Sequence, residues 1–109
     1  MRILVQKLEN CVLIDEYEFC SLDDALMFIR KQLEREGVEL SDVKRKTVEG
    51  ADAYILSFEY EKRLDDSDDT FYYSWDVMAL EDRNDYKFKE IVELLYENVK
   101  WRKGCYWGE

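Results

Sequence analysis

The sequence predicts an α+β fold, in which an antiparallel sheet of about five strands carries two helices on one face. Two segments have apolar residues at helical spacing, and several others show the short alternating pattern of β-strands. Turn residues separate these segments in the order ββαβββα. The 109 residues leave room for one domain, and 47% hydrophobic residues supply a core. We therefore expect a single domain over residues 1–109, with 102–109 as a short aromatic and basic tail.

The first half of the chain predicts a hairpin followed by a helix. Arg2–Leu8 and Cys11–Phe19 are expected to be strands on either side of a turn at Glu9-Asn10. A helix is predicted between Ser21 and Gly37, because serine is a favourable N-cap and glycine favourably ends a helix. The inward stripe of that helix consists of Leu22, Leu26, Ile29 and Leu33.

The second half predicts three strands and a helix. The predicted segments are a hairpin of Val43–Val48 and Ala53–Leu64, a polar turn Asp65–Thr70, a strand Phe71–Leu80 and a helix from about Asp85 to Trp101. Large apolar residues alternate with other residues in the longer strands, as expected where one face of a sheet is buried. Ile55, Tyr72 and Met78 fall on the opposite face, so we expect them to be exposed on an open side of the sheet.

Negative charge and aromatic rings are concentrated in residues 65–85. This segment holds eight carboxylates against one base, Arg83, and the whole chain has a net charge of −10. Such a balance argues against direct binding to nucleic acid and to anionic membranes, because both require clustered cations. Acidic groups beside large amphipathic rings are instead typical of a surface that attracts and holds a basic protein.

The final helix adds a second acidic feature. Glu90, Glu93 and Glu97 form a stripe almost opposite its predicted apolar face. The residues predicted to bind a partner are Asp65, Asp66, Asp68, Asp69, Tyr72, Asp76, Glu90, Glu93 and Glu97.

Catalytic and metal sites are not predicted. The chain has no histidine, which removes the commonest proton-transfer group and the His-containing zinc sites. The run Asp65–Asp69 matches part of a calcium-binding loop, but Thr70 replaces the glycine of its sharp turn. The three cysteines lack zinc-site and redox-motif spacings. We expect no enzyme activity, no cofactor and no dedicated metal site.

The resulting hypothesis is a cytoplasmic, acidic, non-enzymatic inhibitor that blocks the basic nucleic-acid-binding surface of a host protein. Small acidic proteins of this kind are typical of phage or mobile-element counter-defence, of the anti-CRISPR and anti-restriction type. One alternative is an immunity protein that neutralises a cognate toxin, and another is a regulatory domain for a divalent metal or small ligand. For the open sheet face itself, a homodimer that closes it and coverage by the tail or by a loop are further alternatives.

Overall fold

A computed structural model describes residues 2–50, 53–63, 69–83 and 85–99, with side chains of the last helix as far as residue 94. The strands are β1 (Ile3–Glu9), β2 (Val12–Phe19), β3 (Lys44–Glu49), β4 (Tyr54–Arg63) and β5 (Thr70–Ala79). The helices are α1 (Leu22–Arg35) and α2 (Tyr86–Val99), with a single 3-10 turn at Leu40–Asp42. The predicted α+β class and the ββαβββα order are confirmed.

All five strands form one antiparallel sheet in the order β2-β1-β5-β4-β3. The last strand in sequence, β5, therefore lies at the centre, between the N-terminal hairpin and the β3–β4 hairpin. The pairing of β4 with β5 places Phe58 opposite Trp75 and Ser57 opposite Asp76. This register decides which side chains meet on each face of the sheet.

Both helices pack on the same face of the sheet. The stripe predicted for α1 is buried, and it joins the inward residues of β4 and β5 in one core cluster. Phe88 of α2 belongs to the same cluster and packs edge-on against the ring of Tyr54, with 6.1 Å between centroids. The alternation predicted for β4 is confirmed, because Tyr54, Leu56, Phe58 and Tyr60 are all buried.

The caps predicted for α1 are present. The Oγ of Ser21 accepts a hydrogen bond from the Asp24 backbone N–H at 3.2 Å. At the other end Gly37 has a φ of +73°, and Val38 N–H donates to the Leu33 carbonyl at 2.9 Å. This is a Schellman ending, which favours glycine because other residues are strained at positive φ. It also brings Glu36, the last residue before the glycine, back towards the sheet.

Two details differ from the sequence predictions. The first hairpin turns at Asn10-Cys11, one residue later than predicted, and both residues have positive φ. Met78 lies on the predicted open face but is only 2% exposed, so the prediction of its exposure is wrong. Met78 lies opposite Leu4 of β1, and Leu4 is equally buried. The two side chains of such a cross-strand pair cover each other's apolar surface.

Candidate binding surface on the open face of the sheet

The face of the sheet opposite the helices carries a row of polar side chains at its centre. Ser57 on β4 lies directly opposite Asp76 on β5, and both point away from the buried Phe58 and Trp75. Lys46 on β3 continues the row on one side of Ser57, and Gln6 on β1 continues it beyond Asp76. Strand alternation therefore brings groups from four strands onto one surface.

A serine–aspartate cluster fixes the centre of this row. The hydroxyl of Ser57 donates to Asp76 Oδ1 at 2.7 Å, and the hydroxyl of Ser74 donates to the same oxygen. The two serine oxygens are themselves 3.0 Å apart. Ser57 is buried while Asp76 is half-buried, so the carboxylate is held in one orientation at the bottom of the surface.

The short serines create a depression, because longer side chains surround them. The depression has a volume of about 830 Å³ and spans β1, β5, β4 and β3. Its charged lining comprises four carboxylates and two lysines: Asp42, Glu59, Glu61, Asp76, Lys44 and Lys46. Apolar surface comes from Leu8, Val48, Ile55 and Tyr72, and the tyrosine is 57% exposed. The depression therefore combines net negative charge with an exposed aromatic ring.

One of the two lysines is already engaged. Lys46 Nζ lies 2.8 Å from Glu59 Oε1, and both side chains are substantially exposed. Hydrogen bonding to Glu59 raises the pKa of Lys46, and the charge of Asp76 adds to this effect. Glu61, two residues along β4, is exposed and forms no ion pair within the described part of the chain.

The structure separates the residues predicted to bind a partner. Tyr72 and Asp76 line the depression, and Asp69 is exposed immediately before β5. Glu90 and Glu93 are exposed on α2, which packs on the other face of the sheet. The remaining predicted positions, Asp65, Asp66, Asp68 and the side chain of Glu97, lie outside the described residues.

Glu59 and Glu61 are not among the partner-binding residues named from the sequence, although both belong to the depression. Their alternation on β4 with buried residues predicts that they lie on the open face, around Tyr72 together with Ser74 and Asp76. The β4–β5 register confirms this, because it places Glu59 opposite Ser74 and Glu61 opposite Tyr72.

A second polar cluster lies on the helix side of the sheet, also without a sequence prediction. Lys7 Nζ is 3.0 Å from Glu36 Oε1, and the phenol of Tyr60 donates to Glu36 Oε2 at 2.6 Å. The ammonium group also lies 5.0 Å from the Trp75 ring centroid and 5.6 Å from that of Tyr73. Burial is the largest cause of the raised pKa of Tyr60, and the hydrogen bond to Glu36 is the second.

Within ranges 2–50, 53–63, 69–83 and 85–99, no three Cys, Asp or Glu side chains come together as a metal-binding group. No described helix is both long and apolar enough to cross a bilayer.

Comparison of the chain with protein-family models, curated proteins and solved structures gives no match.

Proposed function

We propose that this protein is a non-enzymatic inhibitor that binds a basic, nucleic-acid-binding surface of a partner protein. The observation that carries the proposal is the depression on the open face, where four carboxylates outnumber two lysines beside the exposed ring of Tyr72. A concave surface with charge of one sign concentrates a partner of the opposite sign, and an exposed aromatic side chain then holds it.

A further carboxylate extends the acidic surface beyond the depression. Glu16 of β2 lies on the same face, because it pairs with Gln6 of β1, whereas Glu18 on that strand is neutralised in an ion pair with Arg2. Duplex DNA carries one negative charge per ~1.7 Å of axis, whereas alternate residues of one strand are ~6.7 Å apart. Several strands must therefore act together to compete with a phosphate backbone, as the acidic residues of β2, β4 and β5 can on a single face.

The net charge of −10 supports this mode of action at longer range. Electrostatic steering raises association rates by ten- to about a thousandfold at low salt, and salt screens it over about 10 Å. Affinity for the partner is therefore expected to fall as salt rises.

Two biological settings fit the proposed activity. A counter-defence protein of a phage or mobile element would apply this surface to a host nuclease or restriction protein, and an immunity protein would apply it to a cognate toxin. In either setting the proposal requires a partner with a basic surface that contacts nucleic acid. The cytoplasm is the proposed location, because the exposed free thiols of Cys11 and Cys20 suit a reducing compartment.

The experiment begins with capture of host proteins on the immobilised domain at about 50 mM salt and elution at about 200 mM. Each eluted protein is then purified, and its binding to labelled duplex and single-stranded nucleic acid is measured with increasing amounts of the domain. We expect at least one protein whose nucleic-acid binding is displaced competitively. A captured protein that binds nucleic acid equally well while the domain is bound would contradict the proposal.

A further inference from the structure

We propose that the depression on the open face is a binding site for an extended, arginine-bearing segment of the partner protein. This inference rests on the proposed function and specifies its site and ligand chemistry. The occupant is assigned by charge complementarity, because carboxylates outnumber ammonium groups in a depression that is otherwise apolar and hydroxylic.

Asp76 is the anchor of the site. Ser57 and Ser74 both donate to its Oδ1, which fixes the plane of the carboxylate. Within the described part of the chain no group donates to Oδ2, so this oxygen is available to a ligand. A carboxylate whose orientation is fixed before binding suits the planar guanidinium group, which donates two parallel hydrogen bonds.

The floor of the depression explains how a side chain reaches Asp76. Ser57 and Ser74 are much shorter than the residues on either side, and Leu8 lies opposite Ser74 on β1. The aliphatic stem of an arginine can lie over this floor while its charged end meets Asp76. A lysine has a similar stem but a compact, strongly hydrated charge without the planar fork.

The neighbouring strand offers a second contact at the spacing of an extended peptide. Ser57, which lies opposite Asp76, and Glu59 are alternate residues of β4, so their Cα atoms are about 6.7 Å apart. Alternate side chains of an extended ligand have the same separation, so a second guanidinium would meet Glu59 while the first meets Asp76. Glu61, opposite Tyr72, lies one such step further along β4 and adds a carboxylate beside an aromatic ring.

Lys46 occupies part of this site in the free protein. Its ammonium group is bound to Glu59 at 2.8 Å and is close enough to Asp76 for the two charges to interact. An incoming arginine must compete with this internal cation. Removal of the Lys46 charge should therefore tighten binding of the arginine-bearing segment. If the role of Lys46 were purely structural, the same removal would not tighten binding.

The test is an NMR titration of the full-length protein with two synthetic peptides, Gly-Arg-Gly-Arg-Gly amide and Gly-Lys-Gly-Lys-Gly amide. We expect saturable shifts at Ser57, Ser74 and Tyr72, with tighter binding of the arginine peptide. Asp76→Asn should weaken that binding about tenfold, because a hydrogen bond to a charged group is lost while the serines keep their acceptor. Lys46→Gln should tighten it about two- to fivefold. The matched control, Glu90→Gln on α2, should leave it unchanged.

Shifts confined to α2, no saturable binding, equal affinity for the two peptides, or an unchanged affinity in Asp76→Asn would each overturn the assignment. A concentration-dependent dimer that hides Ser74 and Tyr72 and excludes the peptide would also overturn it. None of these outcomes changes the result expected in the competition assay with the captured partner. That assay tests the proposed function independently of this site. The inhibitor function can therefore stand while this site fails.

Discussion

The ammonium group of Lys7 lies on the core side of the sheet, where a charge is costly unless it is paired. Its side chain is only 15% exposed, and Glu36 supplies both its counter-charge and the acceptor for Tyr60. The sequence places Lys7 in a strand without showing which side of that strand faces inward, and its counter-charge Glu36 lies 29 positions away. Such a cluster cannot be derived from local patterns, because it exists only after the chain has folded.

Removal of the Glu36 charge should destabilise the protein. Glu36→Gln leaves the largely buried Lys7 without a counter-charge, and we expect the unfolding free energy to fall by about 1–3 kcal/mol in urea denaturation. Glu34→Gln is the matched control, because its exposed carboxylate makes a 3.7 Å contact with Arg30 at the surface, where an ion pair contributes little. Equal effects of the two substitutions would show that the cluster does not stabilise the fold.

The raised pKa of Tyr60 should make stability depend on pH in alkali. The unfolded phenol has a pKa of about 10, and burial with the Glu36 hydrogen bond raises it in the folded protein. The native state therefore retains a proton that the unfolded chain loses above about pH 10, and stability falls as pH rises from there. The loss should be at most about 1.4 kcal/mol per pH unit.

Tyr60→Phe isolates this contribution. Denaturant unfolding between pH 8 and pH 11 should show a shallower decline in the variant than in the natural protein. Parallel pH profiles would contradict the role assigned to the phenol.

At the level of single elements, the β1–β2 turn shows what composition does and does not reveal. Asn10 and Cys11 both have positive φ, at 50° and 68°, so they form the two central residues of a type I′ hairpin. Asparagine is a common first residue of such turns, but the second is normally glycine. Because cysteine stands at the second position, the chain lacks the Asn-Gly pair that identifies such a turn. The turn predicted from the sequence therefore falls one residue early. Asn10 also accepts the Tyr72 N–H through Oδ1, so the turn is joined to β5.

Glycine at position 11 should therefore stabilise the hairpin. Cys11→Gly relieves a strained backbone conformation, and we expect an increase of about 1 kcal/mol in unfolding free energy. Thermal and urea unfolding would measure it. Cys11→Ser is the control, because it removes the thiol and keeps the strain. A gain of equal size in both variants would indicate that the thiol, not the backbone, is responsible.

The elements with strong periodicity are the ones that the sequence predicts well. The α1 stripe and the β4 alternation are confirmed, because each reports burial along a single element. Ile91 shares the helical spacing of Phe88 and Val92, which predicts a buried position on α2, yet it is 43% exposed. In the described part of that helix the buried apolar residues are Phe88 and Val92. The buried face of α2 is therefore narrower there than its apolar periodicity predicts.

At the scale of the whole molecule, the fold divides the acidic residues between two sides. Glu90 and Glu93 of α2 belong to the helix side, and the glutamates of β4 belong to the open side with Asp76. Composition predicts the total charge but not this division, since it follows from the strand order and from both helices packing on one face. The open side is assigned as the binding surface because it is also concave and carries Tyr72.

The most direct test of that assignment compares the affinity of the isolated partner for two triple variants. One carries Glu59→Gln, Glu61→Gln and Asp76→Asn on the open face, and the other carries Glu90→Gln, Glu93→Gln and Glu97→Gln on α2. The two lose equal charge, so long-range steering weakens equally. We predict at least about 30-fold weaker binding for the open-face variant and a much smaller loss for the α2 variant. Equal losses, or a larger loss in the α2 variant, would contradict the account.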